Sequence, residues 1–177
     1  MRIVGGKYKG RTLVEFGGYD VRPTSDKVRE SFFNIIQNSI YGAKFLDLFC
    51  GTGAMGIEAL SRGAKKVHFN DRSRESLAIL RKNIEKLKVD EQFVQTNLDA
   101  LTLLKSTNEK FDIIYVDPPY KTQMGKDVVK SCQGKLEENG FVVLEDEVTF
   151  DGEIDGFIKF DQRKYGRVHL TFFREEK

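Results

Sequence analysis

Cysteine and histidine are scarce in this sequence, which has only two of each among its 177 residues. Cys50 and Cys132 lie far apart, and neither His68 nor His169 has a second ligand at the spacing of a zinc finger. A structural zinc site needs four ligands in a tetrahedron, so we expect no metal in this protein. We also expect no disulfide bond, because a reducing cytosol opposes one.

Long apolar stretches are missing as well. No run approaches the ~20 residues that a membrane-spanning helix requires. Residues 1–6 carry a charge without an apolar run of signal-peptide length. We therefore expect a cytoplasmic protein that has no membrane partner. The length fits a single domain, which we take as residues 1–177.

Acidic residues are absent from two basic stretches of a chain whose net charge is only +2. Residues 1–13 contain Arg2, Lys7, Lys9 and Arg11, and residues 162–174 contain Arg163, Lys164, Arg167 and Arg174. These stretches could contact a phosphate backbone. They could equally be solvated hairpin edges, which lysine and arginine protect from further pairing. The charge pattern leaves both interpretations open.

The first 41 residues differ in pattern from the remainder. Residues 2–15 predict a β-hairpin around the glycine-containing residues 5–10. A helix is expected next, with Thr24, Ser25 and Asp26 as candidate caps and apolar side chains at helical spacing as far as Ile40. We expect this N-terminal hairpin and helix to precede a core made of residues 44–177.

Strands and helices alternate in that core. The predicted buried strands are residues 45–49, 66–69, 93–96, 111–116 and 141–144, and the predicted helices are residues 55–61, 74–87, 98–105 and 126–136. Gly63 and Gly140 stand where helix C-caps are expected. Alternation of this kind predicts a parallel sheet with helices on both faces. Residues 157–161 and 168–174 lack a helix between them, so we expect an antiparallel terminal hairpin and an α/β fold with a seven-stranded sheet.

A glycine loop follows the first strand of the core. Gly51, Gly53 and Gly56 match the fingerprint of nucleotide-binding loops, and Asp71 follows the second strand, where a carboxylate can accept ribose hydroxyls. Bare glycines let the backbone approach a ligand closely. The fingerprint alone does not distinguish a nicotinamide cofactor from other nucleotides.

Two further acids favour S-adenosylmethionine. Asp47 lies inside the buried strand, where it can pair with an ammonium group, whereas a pyrophosphate would need only the helix N-terminus. Asp99 follows the third strand and can accept a hydrogen bond from an adenine amine. Asp99 could instead be a helix N-cap, and Asp71 a turn residue.

The sequence Asp-Pro-Pro-Tyr at residues 117–120 follows the fourth strand and is the most informative motif. Its prolines fix the backbone and leave carbonyl groups free to accept hydrogen bonds. If the Asp117 carboxylate and the Pro118 carbonyl each accept one hydrogen of an exocyclic base amine, the nitrogen lone pair can point at a sulfonium methyl group. Tyr120 can stack on the base, a contact worth about 1–3 kcal/mol. The alternative is a stiff turn with an incidental aspartate.

These motifs resemble the RsmD family of 16S ribosomal RNA guanine-N2 methyltransferases. The resemblance rests on residues 47–64 and 117–120, and on residues 3–6, 10–11, 22–24 and 28–34 near the N-terminus. It implies a Rossmann-like class I methyltransferase fold, S-adenosylmethionine as cofactor, and 16S rRNA or a small ribosomal subunit particle as partner. Family members often have glutamate where this chain has Asp71. The aspartate keeps the negative charge, but its side chain is shorter than that of glutamate.

The resemblance also implies a distribution of roles. The catalytic residues would be Asp117, Pro118 and Tyr120. The cofactor would be bound by Asp47, Phe49, Gly51, Gly53, Asp71, Arg72, Asp99 and Ala100. RNA would be contacted by Lys7, Lys9, Arg11, Arg22 and Thr24, which belong to the N-terminal hairpin and helix.

Other functions share some of these sequence features. An adenine-N6 methyltransferase acting on RNA or DNA would use the same motif, and protein-glutamine methyltransferases usually carry asparagine in place of Asp117. A nicotinamide dehydrogenase would need a hydride-transfer acid or base that the sequence does not offer. A non-catalytic RNA-binding module would gain little from carboxylates that repel phosphate.

Overall fold

The computed structural model describes residues 1–17, 24–119 and 123–177 of the chain. Within these residues, seven strands form one mixed sheet in the order β3-β2-β1-β4-β5-β7-β6. The strands are β1 Lys44–Asp47, β2 Lys66–Asn70, β3 Gln92–Thr96, β4 Phe111–Val116, β5 Leu136–Asp146, β6 Phe157–Tyr165 and β7 Val168–Glu175. Pairs among β1 to β5 are parallel, whereas β7 pairs antiparallel with both β5 and β6. The predicted seven-stranded sheet with an antiparallel terminal hairpin is therefore confirmed.

Helices cover both faces of this sheet. They are α1 Asp26–Ile35, α2 Gln37–Ile40, α3 Ala54–Ser61, α4 Arg74–Leu87, α5 Ala100–Ser106 and α6 Gln123–Ser131. Side chains alternate between the faces along each strand, because a strand has a period of two residues. In β4, Ile113 packs into the core shared with α1, α3 and α4, whereas Ile114 packs into the core shared with α5 and α6.

Several predicted boundaries were wrong. Residues 132–136 do not continue α6, and Gly140 lies inside β5 rather than at a helix end, because β5 starts at Leu136 alongside Phe111. The third strand was expected to be buried, yet β3 lies at an edge of the sheet, where Phe93 and Val94 are exposed. Gly63 does have the left-handed backbone, at φ 96°, that ends α3.

The N-terminal segment keeps a short part of the predicted hairpin. An isolated antiparallel bridge joins Arg2 to Thr12, and backbone hydrogen bonds on either side of it run from Ile3 to Arg11 and from Leu13 to Met1. The backbone amides of Val4 and Gly5 donate instead to the Glu58 carboxylate at 2.9 and 2.8 Å. Side-chain acceptors on α3 thus bind the backbone where the pairing of the hairpin ends.

A buried ion network anchors this segment and α1 to α3. The side chains of Arg29 and Glu58 are both fully buried, and they approach to 3.4 Å. Arg62 adds a second ion pair to Glu58 at 2.9 Å, and Arg29 also donates to the backbone carbonyl of Arg2. Since a buried charge is costly without a partner, these groups depend on one another. The network holds the N-terminal segment against the helix that follows the glycine loop.

The first helix begins as predicted. Of the three candidate caps, Ser25 is the N-cap, because its hydroxyl accepts from the backbone amide of Val28 at 3.2 Å. The helix ends at Ile35, and the short α2 carries the chain on to Ile40. Among the described residues, no helix is long and apolar enough to cross a membrane.

Candidate active site

A cleft of about 1510 Å³ opens beyond the carboxyl ends of the parallel strands. The residues that follow β1, β2, β3 and β4 line it, as does Glu145 near the end of β5. Strand order reverses between β1 and β4, because β2 follows on one side and β5 on the other. Open α/β sheets bind ligands at such a point. The cleft therefore lies where the sequence predicts the site.

The glycine loop shapes one wall of this cleft. Gly51 and Gly53 have φ values of 52° and 87°, in the left-handed region that glycine enters without strain. A Cβ on Gly51 would meet nothing within 4 Å, so the loop leaves open space there. A Cβ on Gly53 would lie 2.3 Å from Leu80 Cδ1, so this glycine serves the packing of α4 rather than the cleft wall.

Asp47 lies at the floor of the cleft and is only 2% exposed. Its Oδ2 accepts a hydrogen bond from the Gly56 backbone amide at 2.9 Å. Burial raises the pKa of Asp47 to about 7, and the negative charge of Asp71 acts in the same direction. A cationic group bound beside Asp47 would favour its ionised form.

Asp71 is held rigidly at the end of β2. Its two carboxylate oxygens accept from the backbone amides of Gly51 and Ser73 at 2.9 and 2.8 Å. These bonds fix the carboxylate between the glycine loop and the start of α4, with Arg72 beside it in the cleft wall. Each oxygen can accept a further hydrogen bond, as a ribose diol would require.

Asp99 is the helix N-cap that the sequence offered as one alternative, and it also lies at the cleft. Its Oδ2 accepts from the backbone amides of Leu101 and Thr102, so Asp99 is the N-cap of α5. Asp99 also lines the cleft together with Ala100 and Phe49. An adenine ring between these residues would have an apolar contact and a carboxylate at its edge.

Asn70, which was not predicted from the sequence as a site residue, links the loops that follow β1 and β3. Its side chain is buried, and its Nδ2 donates to the carbonyls of Leu48 and Leu98 at 3.2 and 3.0 Å. The loops that follow β1 and β3 are thereby held at a fixed separation. The sequence feature that could have indicated this role is a polar residue at the end of a buried strand.

Asp117 and Pro118 follow β4 directly and line the same cleft as the glycine loop. Pro118 is buried and Asp117 is half-buried, so the carboxylate reaches the cleft from a stiff, packed backbone. Tyr120 lies outside the described residues, as does Arg22. The structure thus brings together the predicted Asp47, Asp71, Asp99 and Asp117 around one cavity.

Cys50 also lines the cleft but does not offer a nucleophile. Burial raises the pKa of its thiol well above the ordinary value, and the charges of Asp47 and Asp71 add to this effect. The thiol is therefore protonated at neutral pH. No cluster of three metal-ligating side chains occurs in the part of the chain that the structure describes.

Glu145 belongs to the site and was missed at the sequence level. It is 5% exposed, and the Tyr115 hydroxyl donates to its Oε2. The Thr24 hydroxyl donates to both of its oxygens, at 3.3 and 3.2 Å. Burial, followed by the charges of Glu145, Asp117 and Asp47, raises the pKa of Tyr115 well above its usual value, so Tyr115 stays a neutral donor. Thr24, predicted to contact RNA, therefore lies at the cleft.

The cations of the N-terminal loop lie elsewhere. Lys7 pairs with Asp90 and Glu91, which precede β3, and Arg11 donates to the carbonyls of Lys86 and Leu87 at the end of α4. Ends of helices and starts of strands lie at the amino edge of a parallel sheet. The structure thus places Lys7 and Arg11, with Lys9 between them in the loop, away from the carboxyl edge that carries the cleft. No finding tests their predicted contact with RNA, which stays a prediction.

The terminal hairpin supplies a cation that does reach the cleft. Tyr165 and Arg167 lie at the turn between β6 and β7, and both line the cavity. They belong to the second acid-free stretch of the sequence. The nearby Arg163 is paired with Asp161 at 3.0 Å.

Comparison with known proteins gives concordant results. The family model described as "Conserved hypothetical protein 95" matches residues 1–174. Ribosomal RNA small subunit methyltransferase D of Escherichia coli (strain K12) is 34% identical over 155 residues, covering 88% of this chain and 76% of that protein. The solved structure of the provisionally named methyltransferase yhhF from Escherichia coli has a TM-score of 0.86 at 28% identity, covering 100% of this chain and 98% of that chain.

A more distant structure shares the fold alone. SMU.776, a provisionally named methyltransferase complexed with SAH, has a TM-score of 0.66 at 16% identity, covering 82% of this chain and 48% of that chain. With this likeness and the observed sheet order, the predicted Rossmann-like α/β fold is confirmed.

Proposed function

Because the chain belongs to the family described as Conserved hypothetical protein 95, the RsmD family of ribosomal RNA methyltransferases, we propose that it methylates the exocyclic N2 amine of a guanine in 16S ribosomal RNA, with S-adenosylmethionine as donor. The observation that carries the proposal is that Asp117 and Pro118 line the same cleft as the glycine loop and the acids Asp47, Asp71 and Asp99.

The residues of the cleft fit S-adenosylmethionine. Asp47 is a buried carboxylate that suits the methionine ammonium, Asp71 suits the ribose hydroxyls, and Asp99 suits the adenine amine. A pyrophosphate at the glycine loop would lie near the carboxyl group of Asp47, which disfavours a dinucleotide. When bound, the cofactor supplies a methyl group on a positively charged sulfur, which is activated toward a nucleophile.

The substrate half of the site prepares the amine. The Asp117 carboxylate and the Pro118 carbonyl each accept one amine hydrogen, so the nitrogen lone pair turns out of the base plane and toward the donor. If the methyl group passes to this nitrogen as its bond to sulfur breaks, the Asp117 carboxylate would take up the proton that the nitrogen then loses. Most of the acceleration comes from positioning, since well-oriented groups reach effective molarities of 10⁵–10⁸ M, roughly.

The relatives favour RNA over duplex DNA as substrate, because they are named as ribosomal RNA methyltransferases. RNA also presents unstacked bases in loops and bulges, which a cleft can receive without opening a duplex. Thr24 and Arg167 at the rim of the cleft would contact the RNA.

The proposal is tested by transfer of labelled methyl groups to undermethylated small-subunit RNA or particles, followed by nucleoside mass spectrometry. Recovery of N2-methylguanosine is expected. Recovery of N6-methyladenosine would replace the guanine assignment by the adenine alternative, and absence of transfer to both substrates would refute the proposal.

Asp117→Ala separates the two halves of the site. This variant should lose methyl transfer while its affinity for S-adenosylmethionine stays near that of the unaltered protein, because Asp117 faces the base. Asp155→Ala is the matched control, since Asp155 is an exposed carboxylate whose partner is Lys130 on the surface. Equal loss of cofactor binding in Asp117→Ala would assign Asp117 to the cofactor half instead.

A further inference from the structure

We propose that Glu145 is a specificity-determining residue that accepts a hydrogen bond from the N1–H of the target guanine. This inference rests on the proposed function and deepens it, because it explains how the site would select guanine among bases that carry an exocyclic amine.

Strand register puts Glu145 beside Asp117. Tyr115 pairs with Val143 and Val116 with Leu144 in the parallel ladder of β4 and β5, so the next residues along, Asp117 and Glu145, are neighbours. Neighbouring strands lie about 4.8 Å apart. Both residues line the cleft. Two carboxylates on adjacent strands can therefore face adjacent donors on the edge of one base.

Two hydroxyl groups hold the Glu145 side chain in its orientation. Tyr115 donates from β4, and Thr24 donates from the segment that precedes α1. Both hydroxyls are donors, and its raised pKa keeps the Tyr115 hydroxyl protonated. Donors from two separate elements thus hold the Glu145 carboxylate at the cleft, which it lines together with Asp117.

Only one of the amine-bearing bases matches two neighbouring acceptors. On guanine, the N1–H donor adjoins the N2 amine, so both groups donate to carboxylates. On adenine and cytosine, the ring nitrogen beside the amine is an acceptor, which a carboxylate would repel. Flipped or unstacked bases are read along this edge. A buried acceptor left without its donor carries a large cost, so the pair of carboxylates selects against those two bases.

The test uses small-subunit RNA in which 2-aminopurine replaces guanine at the methylated nucleotide. This base keeps the C2 amine but has an acceptor at N1. The unaltered protein should methylate guanine RNA on the order of 10–100 times more efficiently than the substituted RNA, as expected for a hydrogen bond to a charged group. Glu145→Gln should reduce that ratio toward 1, because a glutamine amide can also donate to N1.

Tyr115→Phe is the control for a purely structural effect. It removes one of the two hydroxyls that hold Glu145 but retains the carboxylate and its hydrogen bonds from Thr24, so the preference for guanine should persist even if the rate falls. If both variants lose the preference equally, Glu145 is a packing residue and the inference is overturned. If Glu145→Gln does not fold, Glu145→Asp, which draws the carboxylate back, should show the same loss of preference.

Failure of the proposed function gives a different result. In that case the unaltered protein would form no N2-methylguanosine in either RNA or particles. A protein that forms N2-methylguanosine, with Glu145→Gln keeping its full preference over 2-aminopurine, would refute the inference alone.

Discussion

Replacement of Asp47 by asparagine should make the protein relatively more stable at high pH while weakening its hold on the cofactor. Asp47 is buried at the floor of the cleft, and burial raises its pKa from 3.8 to about 7. In the unfolded chain the carboxyl ionises near its ordinary pKa. Between these two values the folded state holds a proton that the unfolded state has released. Rising pH therefore favours unfolding in this window.

The size of the effect follows from the two pKa values. Between pH 5 and pH 8, the ionisation of Asp47 lowers the free energy of unfolding by roughly 3 kcal/mol. Asparagine has no charge to lose, and its side-chain oxygen can still accept from the Gly56 amide. The effect of asparagine on the free energy of unfolding is therefore the same at every pH. The difference in stability between the two proteins should thus change by roughly 3 kcal/mol over this range.

Urea denaturation of both proteins at pH 5, 6, 7 and 8 measures this difference. Asp155→Asn, at an exposed carboxylate, is the control and should follow the unaltered protein at every pH. Calorimetric titration with S-adenosylmethionine should show an affinity that rises with pH through about 7 in the unaltered protein, as Asp47 ionises. In Asp47→Asn the affinity should be weaker and should lack that rise.

Parallel stability curves for the unaltered protein and Asp47→Asn would refute the reasoning about burial. An unchanged cofactor affinity would refute the pairing of Asp47 with the methionine ammonium. The two results are independent, because the first concerns the empty cleft and the second the occupied one.

Two further predictions concern the N-terminal segment and the rim of the cleft. Glu58→Ala should lower the free energy of unfolding by about 3 kcal/mol in urea, because the buried Arg29 then keeps only Asp26 as a carboxylate partner and the Val4 and Gly5 amides lose their acceptor; Glu138→Ala, at an exposed position, should change it little, and equal effects would contradict the role of the network. Arg167→Ala should reduce the slope of log affinity for RNA against log salt by about 1, and an unchanged slope would contradict a contact between Arg167 and the RNA.

Local patterns predicted the elements that local forces determine. Arg74–Leu87 was predicted with its observed bounds, because its apolar spacing and its Ser73 N-cap both lie within the segment. The terminal hairpin was also predicted, since two strands without a connecting helix must run antiparallel. The four aspartates of the site were found because each follows or ends a strand at the carboxyl edge of the sheet.

Contacts between distant parts of the chain account for what the sequence did not predict. The amides of Val4 and Gly5 bond to Glu58, more than fifty residues away, so no local pattern could show that the pairing of the hairpin would be confined to the residues around one bridge. Glu145 directly follows the predicted fifth strand, but its closeness to Asp117 depends on the register between β4 and β5. The register between two strands cannot be read from a single sequence, because it depends on how distant segments pair.

The ion network around Glu58 also has a consequence for protein engineering. A chimera that takes its first 29 residues from a relative and its glycine-loop helix from this chain would succeed only if the arginine and the glutamate match. An exchange of the N-terminal segment should therefore transfer Arg29 and Glu58 together.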